Sequence, residues 1–74
     1  MSAYLNELIE LYLNDIADYD NDSLLLAESV LKPVKSLITE GKQTQEKILF
    51  EAYKKGSPEQ KAILEDFLLY IKET

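Results

Sequence analysis

Cysteine, histidine, arginine and tryptophan are all missing from this 74-residue chain, and glycine and proline occur only twice each. Without cysteine there can be no disulfide, thiolate metal site or thiol nucleophile, and the chain suits a reducing compartment. Without histidine the commonest general base and metal ligand goes too, together with every Cys/His or Ser/His arrangement. The lack of arginine removes the bidentate fork that reads guanine edges and clamps phosphates. The two glycines, Gly41 and Gly56, stand far apart, so no glycine-rich phosphate loop can form. No stretch approaches the ~18 unbroken apolar residues of a membrane span, and no basic region followed by an apolar run opens the chain. A soluble, cytoplasmic protein without a secretory signal is expected.

What is present is 46% apolar residues and 30% charged residues, with a net charge of −6. That composition belongs to an ordinary globular chain, and the length fits one helical domain, 1–74. A single core of this size supplies only about 3–5 kcal/mol, so chains this small usually add a disulfide, a metal or a second subunit. With no cysteine, self-association is the remaining means. The charge is unevenly spread. From Met1 to Leu31 there are seven acids (Glu7, Glu10, Asp15, Asp18, Asp20, Asp22, Glu28) and no lysine, whereas from Lys32 onward seven acids face eight lysines. Basic side chains supply most of the affinity for nucleic acid, so direct binding to it is not expected.

Apolar residues recur at three-and-four spacing from Tyr4 to about Tyr19, through Leu5, Leu8, Ile9, Tyr12 and Ile16, which predicts a first amphipathic helix with Ser2 as its N-cap. Leu13 flanks the stripe on one side and Tyr4 and Leu11 on the other, so the apolar arc covers more than half the circumference. A helix lying on a core from one side needs only about 100°. Two accounts of the surplus stand side by side. Either a four-helix fold surrounds the helix on two sides, or Tyr4, Leu8, Leu11 and Tyr12, with Leu25 and Leu26 of the next helix, form a dimer or partner surface.

Asp18-Tyr19-Asp20-Asn21-Asp22-Ser23 predicts a helix stop and restart, with Asp22 or Ser23 as the next N-cap. The alternating acids resemble the opening of a calcium loop. Ser23 stands where that loop needs glycine, however, and Ser29 where it needs a bidentate glutamate, so the register fails. Asp18, Asp20 and Asp22 are instead a candidate acidic partner-binding site.

A second helix is predicted from about Leu24 to Glu40, with Leu24, Ala27, Val30, Leu31, Val34, Leu37 and Ile38 on one arc. Pro33 lies beside that arc on the outward side, and a proline in mid-helix removes a hydrogen bond and crowds the carbonyl of Ser29. A helix kinked there is expected, with two shorter helices meeting at Pro33 as the alternative. Gly41 is placed to end this helix in the left-handed conformation. Thr44 should cap a third helix with Ile48, Leu49, Ala52 and Tyr53 inside, ending at Lys54-Lys55-Gly56. Ser57-Pro58-Glu59-Gln60 has the order of a capping box: serine at the N-cap, proline at the first position and glutamine three residues on. The fourth helix then carries Ile63, Leu64, Phe67, Leu68, Tyr70 and Ile71 on one side and Leu69 outward. The fold expected is all-α, a compact bundle of three to four short amphipathic helices.

Glu7 with Glu10, and Glu65 with Asp66, are the carboxylate pairs that acid–base chemistry could use. They fall on polar faces, whereas catalytic carboxylates need partly buried sites. The lysines after residue 31 are diluted by Glu40, Glu46, Glu51 and Glu59 into a mixed surface. No enzymatic activity, metal or cofactor is expected.

Glu28-Ser29, the apolar positions Val30, Val34, Leu37 and Ile38, then Gly41 and Lys47-Ile48-Leu49, form a pattern similar to the central segment of the AriR/YmgB family. These are small bacterial proteins associated with biofilm formation, acid resistance and two-component signalling. The pattern covers about a third of the chain. The resemblance implies a compact helical homodimer that acts as a regulator or connector by contacting another regulatory or signalling protein, without catalytic residues. A reading from charge alone is an acidic inhibitor or nucleic-acid mimic, antitoxin-like or phage-encoded, whose first helix and Asp-rich turn block a basic groove on a nucleic-acid-binding protein.

Overall fold

The computed structural model describes residues 2–73, which form four helices: α1 (Ser2–Ala17), α2 (Asn21–Glu40), α3 (Gln45–Lys55) and α4 (Pro58–Glu73). The expected all-α bundle is present, with no strand among the described residues. α2 is its hub. This helix packs most extensively against α1 and also lies against α4 and α3. Its inward arc, Ala27, Val30, Leu31, Val34 and Ile38, is buried along its whole length. α1 adds Leu5, Leu8, Ile9, Tyr12 and Leu13, α3 adds Ile48, and α4 adds Leu64 and Phe67. Ile9, Ala27, Leu31 and Phe67 are wholly enclosed. The extra apolar face of α1 is thus partly covered within the chain, as the four-helix account requires.

Local chemistry sets the element ends, in places differently from expectation. α1 stops at Ala17, two residues before Tyr19, because the chain tightens into a turn in which the Tyr19 N–H bonds the Ile16 carbonyl at 2.9 Å. Tyr19 is therefore 88% exposed and no part of the apolar stripe. α2 begins at Asn21, and its cap is Asp20, not Asp22 or Ser23. Asp20 has extended backbone, and its carboxylate accepts bonds from the Asp22 N–H at 3.2 Å and the Ser23 hydroxyl at 2.9 Å. A carboxylate one residue before the helix answers its unpaired N–H groups and positive end together. The Ser2 side chain, expected to cap α1, lies outside what is described.

α2 runs unbroken through Pro33, so the alternative of two short helices falls. The proline is exposed on the outer side, where its missing N–H costs least. Gly41 ends α2 at φ 71°, in the left-handed region as expected. Thr44 caps α3 through the Lys47 N–H at 3.1 Å. Gly56 ends α3 with φ −73°, so its need for glycine is steric: an added Cβ would meet the Ala52 carbonyl oxygen at 3.2 Å. The capping box closes as its residue order predicts. The Ser57 N–H bonds the Gln60 side chain at 3.0 Å, and the Gln60 N–H bonds the Ser57 hydroxyl at 3.2 Å. Gln60 does more than cap, since its amide nitrogen also donates to the Ser29 hydroxyl of α2 at 3.1 Å. The start of α4 is thereby tied to the middle of the hub.

Candidate functional site

Among the described residues no cluster of carboxylates could hold a metal ion, and no helix is long and apolar enough to cross a membrane. Among the described residues no polar or charged one is fully buried. The carboxylates are engaged at seams instead. Tyr12 of α1 donates to Asp66 of α4 at 2.7 Å, and Tyr70 of α4 donates back to Asp15 of α1 at 3.0 Å. Because Tyr12 to Asp15 and Asp66 to Tyr70 advance together, α1 and α4 run side by side in the same direction. The Tyr12 ring meets the rings of Phe67 and Tyr70 edge-on, each at 5.3 Å between centroids. Burial first, and then the Asp66 carboxylate, hold the Tyr12 phenol well above its ordinary pKa. Burial followed by the Asp15 bond raises Tyr70, and the Glu65 bond raises Tyr53. Each phenol stays protonated and serves as a donor, so these pairs are structural ties.

Across the α1–α2 seam, Lys35 donates to Glu10. Beside them Asn6 donates to the Thr39 hydroxyl at 3.1 Å, while the Asn6 carbonyl oxygen is buried with no partner among the described residues. The Glu28–Lys32 pair, at 3.7 Å one helical turn apart, is solvated and worth little. Glu7 is exposed and Glu10 is paired with Lys35, so the carboxylates on the polar face of α1 do not converge on a cleft.

The residues proposed as an interaction surface separate into two sets. Leu8 and Tyr12 are 2% and 3% exposed and belong to the core, because α2 and α4 enclose that side of α1. Neither is free to meet a partner, which corrects their assignment. Tyr4, Leu11 and Leu25 remain about half exposed, and Leu26 is half-buried. Asp18, Asp20 and Asp22 are all exposed, yet Asp20 is spent on capping α2.

A surface absent from that expectation lies between α3 and α4. Here Leu49, Phe50, Tyr53, Leu64, Glu65 and Leu68 line a groove of about 340 Å³. Phe50 is 63% exposed, although it sits beside two residues predicted to face inward. Tyr53 donates to Glu65 at 2.7 Å and lies under the Lys61 ammonium, so the walls of the groove are tied together at one side. Sequence periodicity could have marked Phe50 as outward, since it falls opposite Ile48, the buried residue of α3. A smaller groove of about 220 Å³ runs past Pro33 between α2 and α3, floored by Val30, Val34, Ile48 and Ala52. Comparison with protein-family models, with curated proteins and with solved structures finds no match.

Proposed function

We propose that this chain is a small acidic adaptor that acts through protein–protein contacts, as a homodimer, in a regulatory setting such as bacterial stress, biofilm or two-component signalling. The observation that carries the contact role is the large apolar surface left outside the core: Tyr4, Leu11, Leu25, Phe50, Leu68 and Leu69 are each roughly half exposed or more. Apolar residues scattered singly need no explanation, but several on so small a domain imply surfaces that are covered in use. The regulatory setting rests on the resemblance of the segment Glu28–Leu49 to the AriR/YmgB family. Sedimentation at micromolar concentrations tests the dimer, and a pull-down from the native host followed by a binding titration with the recovered protein tests the adaptor. A monomer that retains no regulatory protein in that pull-down would sink the proposal.

A second reading, the acidic inhibitor or nucleic-acid mimic, is favoured by the α1–α2 turn. Tyr19 stands almost fully in solvent between the exposed carboxylates of Asp18 and Asp20. An open ring flanked by negative charge resembles a base between phosphates, which single-strand-binding grooves take by stacking and basic side chains. Binding to a basic partner that weakens steeply with salt, and is lost in Asp18→Asn/Asp22→Asn and in Tyr19→Ala, supports it. Asp20 must be left in place, because its removal would unsettle α2 and confuse the result.

A further inference from the structure

We propose that the two copies of the homodimer meet through the α3–α4 groove, with Phe50 of each entering the groove of the other. This rests on the homodimer reading above and specifies its surface. An interface with two-fold symmetry must be self-complementary, because the same patch supplies both sides. The α3–α4 face meets that demand. Phe50, 63% exposed, stands on the wall of the groove, which it lines with Leu49, Tyr53, Leu64 and Leu68 and with Glu65, whose carboxylate is bonded by Tyr53; the partner's Phe50 ring fits the apolar part of that cleft. Leu68, 47% exposed, extends the patch along α4. Aromatic anchors filling apolar pockets are what dominate interface energetics.

Charge decides between this face and α1. The segment from Ser2 to Asp20 carries five acids (Glu7, Glu10, Asp15, Asp18, Asp20) and no lysine, so apposing two copies there would bring only like charges together. α3 and α4 carry six acids (Glu46, Glu51, Glu59, Glu65, Asp66, Glu73) and five lysines (Lys47, Lys54, Lys55, Lys61, Lys72). Two such mixed surfaces can pair opposite signs around an apolar centre, the arrangement of core and rim found at protein interfaces. Size places the contact among weak interfaces. At 1.5 Å per residue α3 and α4 are roughly 16 Å and 24 Å long, and two helices about 10 Å wide give a face on the order of 400 Å² in projection. This is below the roughly 600 Å² per partner at the low end of stable interfaces, so the contact is of the weak, concentration-dependent kind.

Sedimentation of the full chain from about 5 to 200 µM, a range that brackets such an affinity, compares wild type with Phe50→Asp and Leu11→Asp. Both side chains are exposed in the single chain, so circular dichroism should show each variant as helical as wild type. The expected result is a wild-type dimer, at least tenfold weaker association for Phe50→Asp, and no change for Leu11→Asp. A second variant, Phe50→Ser, removes the ring without adding charge and should weaken the dimer in the same way. A dimer that survives both Phe50 substitutions overturns this surface and leaves the homodimer standing. A wild-type monomer across the range overturns the homodimer itself, and the α3–α4 surface with it.

Discussion

Tyr12 concentrates more of the fold than any other side chain. Its ring is held edge-on between Phe67 and Tyr70, and its hydroxyl reaches Asp66 at the wet edge of the core. Removing only the oxygen, as in Tyr12→Phe, should cost about 1 kcal/mol in urea unfolding, since Asp66 is exposed and water can replace the donor. The pH dependence has a definite sign. Folding raises the Tyr12 pKa, so its contribution is complete below the unfolded value of about 10 and is lost as pH climbs beyond it, when only the unfolded phenol ionises. Stability should therefore fall from about pH 10 upward, and fall less in Tyr12→Phe. An alkaline decline of equal size in both proteins would refute the assignment. Phe67, wholly buried beside it, is the other sensitive residue. Phe67→Ala should lose about 3–5 kcal/mol, as much as the core of so small a domain supplies, and leave no cooperative thermal transition.

At the scale of elements, helix ends carried the clearest local signals. Gly41, Thr44 and the Ser57–Gln60 box lie where their residue types demand, because each terminus is decided within about four residues. Gly41→Ala should cost about 1 kcal/mol, since the side chain has open space but the left-handed backbone does not suit it. The start of α2 was harder. Asp20, Asn21, Asp22 and Ser23 are all capable caps in a row, and residue type alone does not choose Asp20, whose extended backbone and carboxylate bonds to Asp22 and Ser23 mark it as the cap. The end of α1 was overrun because Tyr19 fits the apolar period although the turn before Asp20 excludes it. The pairing of α1 with α4 was not legible at all. Tyr12 and Asp66 are 54 residues apart, and nothing local to either names the other. Phe50 was legible as outward from its place opposite Ile48, but the cleft beside it was not, because that depends on how α3 stands against α4, which no single helix records. Pro33 offers an element-scale test. Pro33→Ala restores a backbone donor on the exposed side of a continuous helix, and should raise the urea midpoint, by up to about 3 kcal/mol in stability. Destabilisation instead would mean that the proline ring contributes packing along the groove between α2 and α3.

Taken whole, the molecule is a mildly charged bundle with one strongly acidic side. The carboxylates of α1 and the following turn repel one another, relieved directly by Lys35 at Glu10. Raising salt from about 20 mM to 500 mM shortens the screening length several-fold, so thermal stability should rise with salt. A stability that falls over this range would mean that cross-helix ion pairs outweigh the repulsion. The union of the first helix with the last has a further consequence, in the time order of synthesis. Tyr12 is synthesised long before Asp66, Phe67 and Tyr70, and at ~5–20 residues per second the gap to Tyr70 is roughly 3–12 s. During that interval the apolar side of α1 has α2 for company but no α4 to close it. The aromatic and hydrogen-bonded closure of α1 is therefore completed only when the last helix arrives.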